Sequence, residues 1–180
     1  MSIVQAHISI DDVAEAGFRE HLRRWFDQRD AAGGLPDRSL IDPFMVPALA
    51  ESVILFEVGE DLSPTYRLTG EAMRRAVGRP TVGLTPYDLM GRTPYAELIV
   101  EQLRDCARAV EPIYSSHDFV VAQDEIARES RRIAMPYGQD GKVNRLLCFQ
   151  VVSEKLELKE GAAYRIDDWS LNQLAFVDPV

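Results

Sequence analysis

Near the start of the chain, apolar side chains recur at three- and four-residue steps between Val13 and Arg29: Ala14, Phe18, Leu22, Trp25 and Phe26, with charges between them. That period predicts an amphipathic helix, with Asp11 and Asp12 as candidate N-caps and Gly33-Gly34-Leu35-Pro36 as its stop. A proline-braced segment follows, Asp37–Pro47, in which Pro43 and Pro47 can each open a short helical turn. The pattern then becomes extended. Ser52–Val58 and Thr65–Thr69 read as strands around a turn at Gly59–Pro64. Glu71–Val77 reads as a short helix stopped by Gly78, and Arg79–Gly91, which holds Pro80, Gly83 and Pro86, reads as loop.

The clearest helix comes next. Thr93 is its cap, Pro94 takes the first helical position, and Tyr95, Leu98, Ile99, Leu103, Cys106 and Val110 form one stripe. Beyond Pro112 the chain is β-rich: Ile113–Val121, Ser130–Tyr137 and Val143–Ser153, the last two joined by a hairpin signal at Gly138-Gln139-Asp140-Gly141. Glu154–Gly161 is a charged spacer, and the tail from Ala162 carries Tyr164, Ile166, Trp169, Leu171, Leu174 and Phe176, too apolar to run free in solvent.

Two strands, grouped helices and three more strands predict an α+β fold with a five-stranded antiparallel sheet, one face covered by Glu71–Val77 and Thr93–Val110. The last of these strands, Leu146–Val152, is apolar at both parities, so both of its faces need cover. The N-terminal helix is available for the second face, alone or with the tail or a second subunit. A homodimer formed through Phe18, Leu22, Trp25 and Phe26 is therefore expected. The organisation expected is an N-terminal helix and cap over residues 1–34, a core over 35–153, and the spacer and tail over 154–180.

Composition narrows the function classes. The chain has 180 residues, 46% of them apolar and 27% charged, which suits one globular domain. A net charge of −9 argues against a general nucleic-acid binder and against electrostatic docking on anionic membranes. No apolar run reaches the ~20 residues a spanning helix needs, and Met1–Ile10 has no basic start or small-residue cleavage site. Cys106 and Cys148 lie in apolar contexts and are expected to be reduced, buried and cytoplasmic.

The order of elements resembles a PAS domain, a sensory module with helices between the second and third strands of a five-stranded antiparallel sheet. More narrowly, the residues look like a bacterial family of short stand-alone PAS-like proteins. The resemblance rests on Trp25 in the first helix, the stretch Gly33-Gly34-Leu35-Pro36-Asp37-Arg38-Ser39-Leu40-Ile41-Asp42-Pro43, and the strand end Tyr66-Arg67-Leu68-Thr69-Gly70. Gly78 and Gly83, Met135-Pro136-Tyr137, and the hairpin Asp140-Gly141 complete it, so that it spans roughly Phe18 to Ser153. The connection Glu60-Asp61-Leu62-Ser63-Pro64 and the tail depart from the pattern. The resemblance implies a non-catalytic sensory or interaction module acting through a partner protein or self-association, with no kinase, cyclase or helix-turn-helix element attached. Photosensing relatives carry Asn-Cys-Arg where this chain has Gly70–Arg75, and haem-binding ones a histidine on the longer helix, where this chain offers only Tyr95 and Cys106. No flavin, haem or other cofactor is therefore expected.

Catalytic and metal signatures are sparse. His7, His21 and His117 show no zinc spacing, and no phosphate loop occurs. Strand alternation makes His117 and Asp118 diverge, and Ser115 stands about 6.6 Å from His117, too far for a nucleophile–base pair. What the pattern does offer is an apolar concavity between sheet and helices. Tyr66, Met73, Tyr87, Leu98, Leu103, His117, Phe119, Ile133 and Met135 either fill the core or line a pocket whose polar handles are Tyr66, Arg67, Tyr87 and His117. Arg67 is read first as a structural ion-pair partner, for example of Glu57 or Glu71. Two rival readings stand beside the sensor. One is a small α+β cone enzyme of isomerase or hydratase type using Asp88, Asp118 and His117. The other is a nucleotide-binding regulator using Arg74, Arg75 and Arg79. A second basic strip, Arg128, Arg131 and Arg132, reads as mixed surface charge or the lip of an interface.

Overall fold

A computed structural model describes residues 2–121, 127–153 and 166–179. The elements are β1 (Ala6–Ser9), α1 (Ala16–Ala32), β2 (Val53–Val58), β3 (Pro64–Thr69), α2 (Glu71–Val77), α3 (Pro86–Met90), α4 (Pro94–Ala109), β4 (Ile113–Val121), β5 (Ala127–Gln139), β6 (Lys142–Val152) and β7 (Ile166–Asp178). The charged spacer Glu154–Gly161 lies outside the described residues.

Among the described residues, one mixed sheet of seven strands runs in the order β1-β7-β4-β5-β6-β2-β3. Its strands β4-β5-β6-β2-β3 are antiparallel neighbours, and α2, α3 and α4 are inserted between β3 and β4. The expected count of five strands is corrected to seven. The apolar tail supplies β7, which pairs antiparallel with β4 from Ile113↔Phe176 to Val121↔Ile166. β1 then adds in parallel at β7, Ala6↔Ala175 to Ser9↔Asp178. Without β7, the long strand β4 would leave a row of backbone groups unpaired at an edge; the short β1 blunts the new edge instead.

The two-sided character of β6 is met within one chain. Leu147 and Phe149 join Phe18, Leu22, Trp25 and Phe26 of α1 in one core, while Leu146 and Cys148 join Tyr95, Ile99, Leu103 and Cys106 of α4 in the other. Phe18, Leu22 and Trp25 are 0% exposed and Phe26 5%. The placement of these four at a homodimer interface is therefore corrected: the chain's own sheet covers them, and they present no surface to a second subunit. Burying each large side chain contributes about 1.5–3 kcal/mol.

Local chemistry accounts for the boundaries. Ser9 caps a 3-10 turn over Ile10–Asp12, so Asp11 and Asp12 belong to that turn, and α1 begins later, after Glu15. Thr93 caps α4 through Ala96 N, as its position before Pro94 predicts. The region read as loop contains α3, where Thr85 and Asp88 form a capping box around Pro86. The β5–β6 hairpin turns on Asp140 and Gly141, both left-handed at φ +54° and +74°, the two-residue geometry that matches strand twist. Cys106 and Cys148 are both buried and free. Among the described residues no helix is long and apolar enough to cross a membrane.

Candidate functional site

Register decides which side chains share a face. Ile113 packs in the α4 core, and the His117 ring approaches that of Tyr95 on α4 at 5.2 Å and that of Phe119 at 6.1 Å, so the odd positions of β4 face α4. Across the ladder, Ser115 pairs with Arg132, His117 with Ser130, and Phe119 with Arg128. Arg132 in turn pairs with Gln150 on β6. The face of the sheet under α4 thus carries a band of polar residues through an otherwise apolar core.

Most of this band is sealed from solvent: His117 and Ser130 are 0% exposed, Ser115 1%, Arg128 5% and Arg132 7%. The Tyr95 hydroxyl and His117 Nε2 form a hydrogen bond. Arg132 Nη2 donates to Gln150 Oε1 at 2.9 Å, and Gln150 Nε2 donates to Ser130 Oγ at 2.9 Å. Among the described residues, His117 Nδ1, Ser115 Oγ and Arg132 Nη1 are buried without a hydrogen-bond partner. Burial pushes the His117 pKa down to about 3, and the Arg132 charge adds to the effect. Burial also raises Tyr95, against the opposing pull of Arg132.

Arg132 and Gln150 reach a cavity of about 30 Å³ between the sheet and the helices, walled by Ile54, Phe56, Tyr66, Met73, Val77, Leu89, Met90, Tyr95 and Ile99. That space holds a body about the size of one water or a small ion. Of the expected pocket residues, Tyr66 and Met73 line it, and His117 and Phe119 lie on the same face of the sheet. The others are corrected. Met135 and Ile133 pack in the α1 core, on the opposite face of the sheet. Leu98 is half-buried and is not among the side chains that wall the cavity. Tyr87 donates to Glu97 Oε2 at 2.7 Å, with the Arg92 guanidinium 4.7 Å above its ring, on the outer side of α3 and α4. Arg67 is exposed, and its expected partners are engaged elsewhere: Glu57 with Arg145 at 3.2 Å and Glu71 with Arg74 at 3.5 Å.

Sequence reasoning missed Tyr95, Gln150 and Arg132 as cavity residues, and assigned Arg128 and Arg132 to the surface although both are buried. Arg131, between them, does point outward from α4's core, to Glu15 on the other side of the sheet. The signal available was parity: in a strand covered on both faces, neither arginine beside Arg131 has solvent to reach.

A second concavity is open. Arg67, Arg74, Arg75 and Arg79 border a cleft of about 800 Å³ beside α2. Arg75 pairs with Glu51 at 2.9 Å and Arg79 Nη2 donates to the Asp88 carbonyl at 2.7 Å, so part of this charge is already used by the fold. Neither carboxylate of the enzyme reading stands near His117. Asp88 is exposed and held as a helix cap by Thr85, which lowers its pKa, and Asp118 is exposed on the opposite face of β4. Among the described residues, no three His, Cys, Asp or Glu side chains gather as a metal site.

No family model matches this chain, and no curated protein matches it. Solved structures do. The PAS domain of BvgS from Bordetella pertussis is 18% identical, over 63% of this chain and 86% of that one, with a TM-score of 0.45. The LOV protein of Rhodobacter sphaeroides is 14% identical, over 77% and 72%, with a TM-score of 0.44. The blue-light photoreceptor Aureochrome1 LOV domain is 14% identical, over 62% and 90%, with a TM-score of 0.41. At these identities and scores the likeness is one of overall outline.

Proposed function

We propose that this protein is a non-catalytic, PAS-like sensory and interaction module that takes a small ligand in the cavity under α4 and passes its state to a partner protein or a second copy of itself. Supporting it is the element order β2-β3, three helices, β4-β5-β6 within one antiparallel run. The observation that carries it is that Tyr95, Arg132 and Gln150, with His117 bonded behind Tyr95, bring polar groups to a cavity otherwise walled by apolar side chains. Protein cores rarely tolerate unsatisfied polar groups, and polar side chains that border an apolar cavity are the ordinary means of orienting a bound molecule. The enzyme alternative lacks its carboxylate beside His117, as described above.

The test is a thermal-shift screen of ligands of one to a few heavy atoms, neutral and charged, repeated on Ile99→Phe and Met73→Phe, which fill the cavity from α4 and α2. Ligands that stabilise the unaltered protein and lose their effect in both variants support the reading. Ligands whose effect survives both substitutions contradict it.

A further inference from the structure

We infer that the cavity under α4 is a site for a small monovalent anion of one to a few heavy atoms, held against the Arg132 guanidinium. This rests on the sensory-cavity reading and names the chemistry of its ligand.

Three observations converge. First, Arg132 is 7% exposed and borders the cavity, and a guanidinium keeps its charge at every accessible pH. Second, no described residue neutralises that charge. Its hydrogen bond goes to the neutral Gln150 amide, and no carboxylate comes within ion-pairing distance among the described residues. The titratable groups that feel its field are themselves held neutral by burial: His117 is pushed down to about 3, Cys148 up to about 12, and Tyr95 upward. Third, among the described residues Nη1 is buried without a partner, and so is the Oγ of Ser115, its cross-strand neighbour on β4.

A buried charge without a counter-charge is strongly unfavourable, and breaking up a buried pair costs more than replacing both members by apolar groups. A water in the cavity would satisfy a donor of Arg132 but leave its charge uncompensated. An anion does both. The volume of about 30 Å³ restricts that anion to a halide, nitrate, formate or bicarbonate, and the walls of Phe56, Met73 and Ile99 disfavour a strongly hydrated divalent ion. The open cleft of Arg67, Arg74 and Arg79 is the competing location. It is wet, partly paired and without a size limit, so it would take large anions as readily as small ones.

The experiment is chlorine NMR line broadening on the full chain, with sodium sulfate as the ionic-strength control. Chloride is expected to show excess broadening that nitrate and formate displace and sulfate does not. Arg132→Gln and Arg132→Met are expected to abolish it, and Arg79→Gln to leave it unchanged. In anion-poor buffer Arg132→Met is expected to melt no lower than the unaltered protein, because it removes an uncompensated charge. Absence of excess broadening in the unaltered protein would overturn the inference, and so would broadening that survives Arg132→Gln and Arg132→Met or is lost in Arg79→Gln. Xenon NMR separates the two levels of the argument. Xenon entering the cavity while chloride fails at Arg132 removes the anion alone; exclusion of both removes the sensory cavity as well.

Discussion

The indole N–H of Trp25, on α1, donates to the backbone carbonyl of Pro136, on β5, at 2.7 Å across the buried seam between helix and sheet. Trp25 also meets Phe26 edge-on at 5.2 Å, and both side chains lie under the Arg29 guanidinium, 5.8 and 4.8 Å from the ring centres. This contact ties α1 to the strand that carries Arg132 on its other face. Trp25→Phe is expected to lower stability by about 1–3 kcal/mol by leaving a buried carbonyl unpaired. Trp25→Ala is expected to cost about 3–5 kcal/mol through the cavity it opens. Urea unfolding measures both, and sedimentation should show no change of assembly state in either, since the residue is internal to one chain.

His21 and His117 give stability a defined pH dependence. His21 stacks on Phe149 at 4.2 Å, and burial lowers its pKa to about 4; that of His117 falls to about 3. In both cases the unfolded chain, near 6.5, binds a proton that the folded one refuses. Stability is therefore complete above about pH 6.5 and is lost as pH falls, through about 4 for His21 and 3 for His117, at up to about 1.4 kcal/mol per pH unit for each. Urea titrations between pH 4.5 and 7 should show this slope, and His117→Gln should remove its share. A slope unchanged in that variant would mean that His117 is not held neutral.

Gly70 stands where the β3 strand end meets the turn before β2. A Cβ there would lie 2.3 Å from the Glu51 carbonyl oxygen, and its N–H donates to the Val53 carbonyl at 2.7 Å. Gly70→Ala must therefore displace backbone, with an expected loss of about 1–3 kcal/mol. Gly34, where a Cβ would meet nothing within 4 Å, serves as its contrast: Gly34→Ala is expected to be neutral or slightly stabilising. Chemical denaturation of the pair decides.

The cover on both faces of the sheet was legible from β6, because apolar residues at both parities of Leu146–Val152 admit no other solution. The identity of α4 was legible from Thr93-Pro94 and the stripe behind it. The cavity was legible only in part. Whether Ile133 and Met135 or Arg132 and Ala134 share a face with His117 depends on the β4–β5 register, and a shift of one residue exchanges the two sets. Nothing in the local pattern of β5 breaks that tie, since Ser130–Tyr137 meets a core on either side. β7 was hidden for a different reason. Its apolar residues showed that the tail is buried, but partnering with β4 is a long-range pairing that no local signal encodes.

The central claim is that ligand recognition occurs on the α4 face of the sheet and not in the arginine cleft beside α2. Heteronuclear NMR during a formate titration tests it most directly, read at the backbone amides of Tyr95, His117 and Arg132 against those of Arg74, Arg75 and Arg79. The account predicts saturable shifts at the first three that Arg132→Gln eliminates. Shifts confined to the arginines of α2 and the turn after it, with Tyr95 and His117 unmoved, would contradict it.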